Sequence, residues 1–185
     1  MATDVPFEFS DELTAALDRA IAASLDLTPA MRDIAGHLGD AARARFESET
    51  SPLGVPWKKS GRVTGYIGRD GKPVAGDGGK TLTLSGDLGN SMAEDWGKDF
   101  AAAGPEASGG AAIYAAIHQF GGTIVPRTGK ALSFAGSIVA KVVIAARPYL
   151  GWNDESQSYA IDAIVARLNA AFGGAGIAGD GAASA

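Results

Sequence analysis

Two histidines, His37 and His118, and no cysteine make up the nucleophile and metal-ligand repertoire beyond oxygen and amine groups. Without a thiolate, cysteine nucleophiles, disulfides and thiolate metal sites are excluded. Neither histidine sits in a His-x-x-x-His or His-Glu arrangement, so a zinc enzyme is not expected. A triad built on His118 would need a marked nucleophile, and the chain has no Gly-x-Ser-x-Gly elbow to select one. The string Ala75–Thr81, AGDGGKT, ends like a phosphate-cradling loop. Its first required glycine is replaced by Val74, and the flanks read as loop before and alternating strand after, the reverse of what such a loop needs. Gly174, Gly176 and Gly179 match a dinucleotide fingerprint by letter, but they follow a helix rather than a strand. No catalytic, cofactor or metal site is predicted.

The stretch Ile113–Gly122, IYAAIHQFGG, gives His118 a different use. Its spacing predicts a short helix ended by Gly121-Gly122, with Ile113, Ile117 and Phe120 on one side and the pair Tyr114 and His118 beside them. In the last turn an imidazole can serve orphan carbonyls or the negative end of the helix dipole. His118 is therefore read as a structural or interface residue. Trp57, Trp96 and Trp152 lie in or beside Gly/Pro-rich connections, where a tryptophan anchors a loop or a partner.

The elements that must carry these residues fit one domain, expected over residues 1–172. The chain has 185 residues, 46% of them hydrophobic and 20% charged, ordinary values for a folded globular chain. No apolar run reaches the roughly 20 residues of a membrane span, and MATDVPFEFSDEL lacks the order of a signal peptide, so a cytoplasmic site of synthesis is expected. The net charge is −5, yet between Ser51 and Lys80 Lys58, Lys59, Arg62, Arg69, Lys72 and Lys80 outnumber Asp70 and Asp77 by four. The remainder therefore carries −9, which argues against general nucleic-acid binding.

Ser10 caps a predicted helix whose stripe is Leu13, Ala16, Leu17, Ala20, Ile21 and Leu25. Thr28-Pro29 starts a second, with Met31, Ile34, Leu38, Ala42, Arg45 and Phe46 on its inner face. Gly36 and Gly39 within it suggest close approach by a neighbour. Residues 51–79 read as an extended Gly/Pro-rich arm. Strands are predicted over Lys80–Ser85, Asp99–Ala103, Leu132–Ala135 and Ile138–Ala145, with a helical turn around Leu88–Met92 and a hairpin from Ala93 to Ala103 turning at Asp95 to Lys98. The third and fourth strands would reverse at Gly136-Ser137. A last helix, capped by Asn153 or Asp154, would turn Ile161, Ile164, Val165, Leu168 and Phe172 inward. Residues 173–185 read as a flexible Gly/Ala-rich tail. The class is α+β: two N-terminal helices and one C-terminal helix on a small, mostly antiparallel sheet.

Four strings in order, RFESETSPLGVPWKK, TLTLSGDLGNSM, IYAAIHQFGG and ARPYLGWNDES, resemble the phage virion morphogenesis or tail-completion family of Mu-like and P2-like phages. The resemblance spans about residues 28 to 172. It rests on Arg45, Phe46, Pro52, Gly54, Trp57, Leu84, Gly86, Leu88, Tyr114, Ala115, His118, Gln119, Phe120, Gly121, Arg147, Pro148, Leu150 and Gly151. It implies a non-enzymatic virion protein that completes or terminates the tail at its head-proximal end and joins it to the neck. As a hexameric ring it would contact tail-tube and neck proteins and let DNA pass without sequence-specific binding. A neck stopper or head-completion ring is the alternative within that class, and a small hydrolase using His118 the alternative outside it.

On this reading Trp57, Tyr114, His118, Gln119, Phe120, Arg147, Pro148, Tyr149 and Trp152 are structural or interface residues. Tyr114, His118 and Phe120 would seat the loop TIVPRTGK against the Arg147–Trp152 turn. The arm, with Lys58, Lys59, Arg62, Arg69 and Lys72, would reach an adjacent subunit.

Overall fold

A computed structural model describes residues 11–68, 70–107, 110–129, 131–134 and 137–172. The expected cap Ser10, the arm residue Arg69, the turn residue Gly136 and the tail 173–185 lie outside them. The elements run α1 (Asp11–Leu25), α2 (Thr28–Ser48), α3 (Gly61–Thr64), β1 (Tyr66–Ile67), β2 (Pro73–Val74), α4 (Asp87–Asn90) and β3 (Met92–Trp96). They continue with β4 (Ala101–Pro105), α5 (Ala112–Phe120), β5 (Gly122–Ile124), β6 (Leu132–Phe134), β7 (Ser137–Val139), β8 (Val142–Ile144) and α6 (Asp154–Ala171). The α+β class holds. The strands form antiparallel two-stranded ribbons, β1–β2, β3–β4, β5–β8 and β6–β7, rather than the single small sheet expected.

The long helix α2 is the spine, with the β3–β4 hairpin on one side and α6 on another. It buries Ala30, Met31, Ile34, Ala35, Ala42 and Phe46, following the predicted stripe. Its start is corrected: Leu27 holds the cap position and Thr28 is the first helical residue, its N–H donating to Asp26 Oδ1 at 3.1 Å. The helix stops at Glu49, which takes left-handed φ of 54°. Gly39 meets the close neighbour expected of it, since a Cβ there would run into the Glu94 carboxylate of β3. Gly36 does not; nothing lies within 4 Å of where its Cβ would be. Arg43 clamps the hairpin to α2, pairing with Glu94 at 2.7 Å and donating to the Met92 carbonyl at 2.8 Å.

The hairpin predicted around residues 93–103 is present, in register Met92↔Pro105 to Trp96↔Ala101. The strand expected over Lys80–Ser85 is not. Thr81, fully buried, donates its N–H to Glu49 Oε1 at 2.6 Å, and its Oγ1 accepts from the Ser60 N–H at 3.3 Å. Leu82 then takes φ of 66°. Side-chain partners replace a ladder here, and a left-handed residue cannot continue an extended strand. The strand expected over Ile138–Ala145 is split: Ser137–Val139 pairs with β6, and Val142–Ile144 pairs with β5.

The outer helices depart most from expectation. Asn153 caps α6, its Oδ1 accepting from the Ser156 N–H at 2.9 Å. Ile161 and Val165, expected inside, are exposed, whereas Ile164, Leu168 and Phe172 are half-buried. Helix α1 packs on α6 by its alanine edge, burying Ala23 and leaving Leu17, Ile21 and Leu25 outside. The core lies between α2, α4, α5 and the turn before α6: Ala42, Phe46, Trp57, Leu88, Met92, Ala111, Ala115 and Tyr149.

Candidate assembly site at the Arg147–Gly151 turn

The residues singled out in the sequence converge on one turn, Arg147–Gly151. Because Arg147 precedes a proline, its backbone is held extended, and the turn presents carbonyls that no helix or strand satisfies. Side chains from three other segments take them up. Arg45 of α2 donates Nη1 to the Tyr149 carbonyl at 2.9 Å. Trp57 donates Nε1 to the Pro148 carbonyl, also at 2.9 Å. Gln119 of α5 accepts at Oε1 from the N–H groups of Tyr149 and Leu150, both at 3.0 Å, and donates Nε2 to the Leu150 carbonyl at 2.9 Å. Arg147 reaches the other way, donating Nε to the Lys58 carbonyl at 2.8 Å and its backbone N–H to the His118 carbonyl at 2.7 Å.

The aromatic packing behind these bonds fixes them. Phe46 meets Trp57 edge-on at 5.6 Å between ring centroids and lies tilted on Tyr149 at 5.1 Å. Tyr149 is 1% exposed and donates its hydroxyl to the Ala115 carbonyl at 3.2 Å. Burial pushes its phenol up to about 12. Glycines let the segments approach: a Cβ on Gly121 would lie 2.7 Å from the Ala146 nitrogen, and one on Gly151 would lie 2.9 Å from Pro52 Cγ.

His118 is half-buried, edge-on to Tyr114 at 5.9 Å. Burial, helped by the charge of Arg147, pulls its pKa below the ordinary histidine value. Its ring is thus neutral near pH 7 and Nδ1, though buried, has no hydrogen-bond partner among the described residues. Phe120 takes no part in the junction expected of it, being 77% exposed, and Gln119 is the side chain that seats the turn.

A family model described as the phage virion morphogenesis family matches residues 10–169, most of the chain. The chain belongs to that family. A curated protein of Escherichia phage Mu, named "Putative capsid assembly protein G", is 40% identical over 95 residues. That alignment covers 50% of this chain and 49% of the Mu protein, so the match spans about half the length of the curated relative. No solved structure is significantly similar to the chain.

The virion morphogenesis chain turns two buried arginines onto its own backbone. Arg45 and Arg147 are each 7% exposed and bind carbonyls. Among the described residues no group of three or more His, Asp or Glu side chains is placed to hold a metal, and no helix is long and apolar enough to cross a membrane. Lys80 of the phosphate-loop-like string pairs with Glu47, and Arg62 of the arm pairs with Asp77. Lys59 pairs with Glu49, whose carboxyl would be raised by burial but is held below its usual value by Lys59 and by the Thr81 bonds. Lys58 and Lys72 are exposed, and Trp152 is 55% exposed. Glu49 and Thr81 were not singled out in the sequence. The nearest sequence signal is the change from helical stripe to Gly/Pro-rich text at Ser51.

Proposed function

We propose that this protein is a non-enzymatic structural subunit at the head-proximal end of the phage tail. It completes the tail, joins it to the neck, and acts as a ring of identical copies, six on the family resemblance, around the DNA path. The observation that carries the reading is the inward use of Arg45, Trp57, Gln119 and Arg147 to hold one turn by backbone hydrogen bonds. These polar side chains hold the turn as one rigid surface, while large apolar residues face outward. An acidic balance outside residues 51–80 fits a channel through which DNA slides, because like charges repel at short range.

The name of the Mu relative favours a second reading on the capsid side of the junction. Deleting the gene from its phage separates the two. Filled heads and unjoined tails, united when purified protein is added to the lysate, are the outcome expected. Normal tails beside defective heads would move the protein to the capsid, and intact infectious particles would reject both readings.

A further inference from the structure

In the 51–79 segment Lys59, Arg62 and Lys72 pair with Glu49, Asp77 and Asp70. The bases of a second segment have no such partners. β5 pairs with β8 and β6 with β7 in nested registers, from Gly122↔Ile144 to Phe134↔Ser137, so residues 122–144 form one long hairpin interrupted by the loop 125–131. Its β7–β8 side, Ser137 to Ile144, is about 23 Å long at the rise of a strand. No helix packs along either strand pair, and Ile124, Val125, Ile138 and Val143 are exposed. From Gly122 to Ile144 there is no Asp or Glu against Arg127, Lys130 and Lys141. Arg127 and Lys141 are exposed and lie in no ion pair among the described residues. A basic, apolar hairpin with no packing partner in its own chain is a contact element.

A matching surface lies on the β3–β4 hairpin. The Gly97 N–H donates to the Phe100 carbonyl at 2.9 Å, and the Glu106 N–H to the Ser91 carbonyl at 2.8 Å, which fixes the parity of the ladder between them. In the register Asp95↔Ala102 and Ala93↔Gly104, Ala102 and Gly104 turn their N–H and C=O toward β3, so Ala101 and Ala103 turn theirs outward. These outward groups have no hydrogen-bond partner among the described residues. Edge strands are ordinarily blunted by charged side chains, but β4 reads Ala-Ala-Ala-Gly-Pro and carries none. Beside it lies a cleft of about 200 Å³, with Ala101–Ala103 on one wall and Leu150, Gly151 and Trp152 on the other. Asp95, opposite Ala102, and Asp99, at the start of β4, are exposed and in no ion pair among the described residues.

We propose that the β7–β8 side of the 122–144 hairpin in one copy adds as a third strand to the free edge of β4 in the next, with Arg127 and Lys141 set against Asp95 and Asp99. The open edge supplies main-chain hydrogen bonds, and the opposite charges choose the occupant. Two β4 edges meeting would bring four carboxylates together, and two of the hairpins would bring only bases together. Pairing unlike surfaces is head-to-tail, so the contact closes into a ring or runs on as a filament. The inference rests on the self-assembling subunit proposed above and adds the contact it uses.

Ala103→Pro removes an outward N–H and leaves the β3–β4 ladder whole, since that N–H takes no part in it. It should weaken self-association, read by sedimentation velocity, roughly 10-fold or more. Asp95→Lys with Asp99→Lys, and separately Arg127→Glu with Lys141→Glu, put like charges across the contact and should weaken it as much. Mixed, these two proteins should assemble with each other in equal numbers, because each offers the charge that the other's surface needs. Circular dichroism and melting curves matching the parent confirm that the variants fold. Ala103→Pro associating as tightly as the parent, or a mixture that does not recover, overturns the contact and leaves the structural-subunit reading standing. Undiminished association of the Arg127→Glu, Lys141→Glu protein would mean that β4 edges meet one another, and it overturns the proposal too. A parent protein that stays solitary at every concentration, alone and with tails, removes that reading and the contact together.

Discussion

Gln119 and Leu150 pair as two strand residues would, the amide side chain donating Nε2 to the Leu150 carbonyl at 2.9 Å and accepting from the Leu150 N–H at 3.0 Å. A third bond, from the Tyr149 N–H to the same Oε1, extends the imitation by one residue. The turn before α6 thus has backbone groups satisfied by a side chain of α5, where no strand could reach. The two halves of the family signature, His-Gln-Phe-Gly and Arg-Pro-Tyr-Leu-Gly, are two sides of one hydrogen-bonded contact.

Gln119→Leu keeps most of the volume and strands the Tyr149 and Leu150 groups. Leaving part-buried backbone groups without partners costs about 1–3 kcal/mol each when water cannot replace the bond, so a loss of about 2–4 kcal/mol is expected by urea unfolding. Gln119→Glu retains the acceptor but sets a carboxylate oxygen against the Leu150 carbonyl, so it too should be less stable than the parent. Equal stability of all three proteins would mean that the turn is held by its aromatic packing alone.

The exposed apolar side of α5 makes a contrast available. Leu88 is 2% exposed in the core, and Leu88→Ala should cost about 2–5 kcal/mol through lost burial and the cavity left behind. Ile113→Ala removes a similar side chain at 89% exposure and should stay within about 0.5 kcal/mol in dilute monomer. A large loss for Ile113→Ala under those conditions would mean that the residue is buried within its own chain.

What the sequence could reveal follows from which signal each element carries. Helix α2 was legible because its stripe, Pro29 and its length all agree, and its burial pattern matches. The β3–β4 hairpin was legible to within two residues despite its alanines. The alternation Thr81-Leu82-Thr83-Leu84 misled because period two reports alternating side chains, not ladder partners, and Glu49 and Ser60 supply those partners from more than 20 residues away. The α6 stripe reads as an inner face, whereas those of α1 and α5 read only as apolar sides. Periodicity locates an apolar face but cannot say whether this chain or another covers it. The role of Gln119 follows from the family motif only as a position, since its three bonds depend on a turn 30 residues further on.

Glu49 ties the base of the 51–79 segment to the end of α2, accepting from Lys59 and from the Thr81 N–H. Glu49→Ala removes both and leaves a backbone donor of a fully buried residue unpaired, at a cost of about 1–3 kcal/mol. The effect should be local: faster amide exchange and faster proteolysis over residues 58–82, with the β3–β4 hairpin unchanged. Exchange rising uniformly through the chain would show instead that this segment unfolds only with the whole domain.

Stability should fall at both ends of the pH scale for two identifiable reasons. Burial depresses the His118 pKa below its ordinary 6.5, so its contribution is present above 6.5 and is lost as pH falls through the folded value. His118→Asn should flatten that acid limb between neutral pH and the onset of carboxylate protonation. Tyr149 shifts the opposite way, from 10.0 to about 12, because its phenolate would be buried. Its contribution is full below pH 10 and disappears as pH rises through about 12. Tyr149→Phe loses the bond to the Ala115 carbonyl, about 1 kcal/mol at neutral pH, and should abolish the alkaline loss. Urea midpoints measured from pH 5 to 11 in the three proteins separate the effects. An alkaline limb that persists in Tyr149→Phe would assign it to another group and contradict the burial of this hydroxyl.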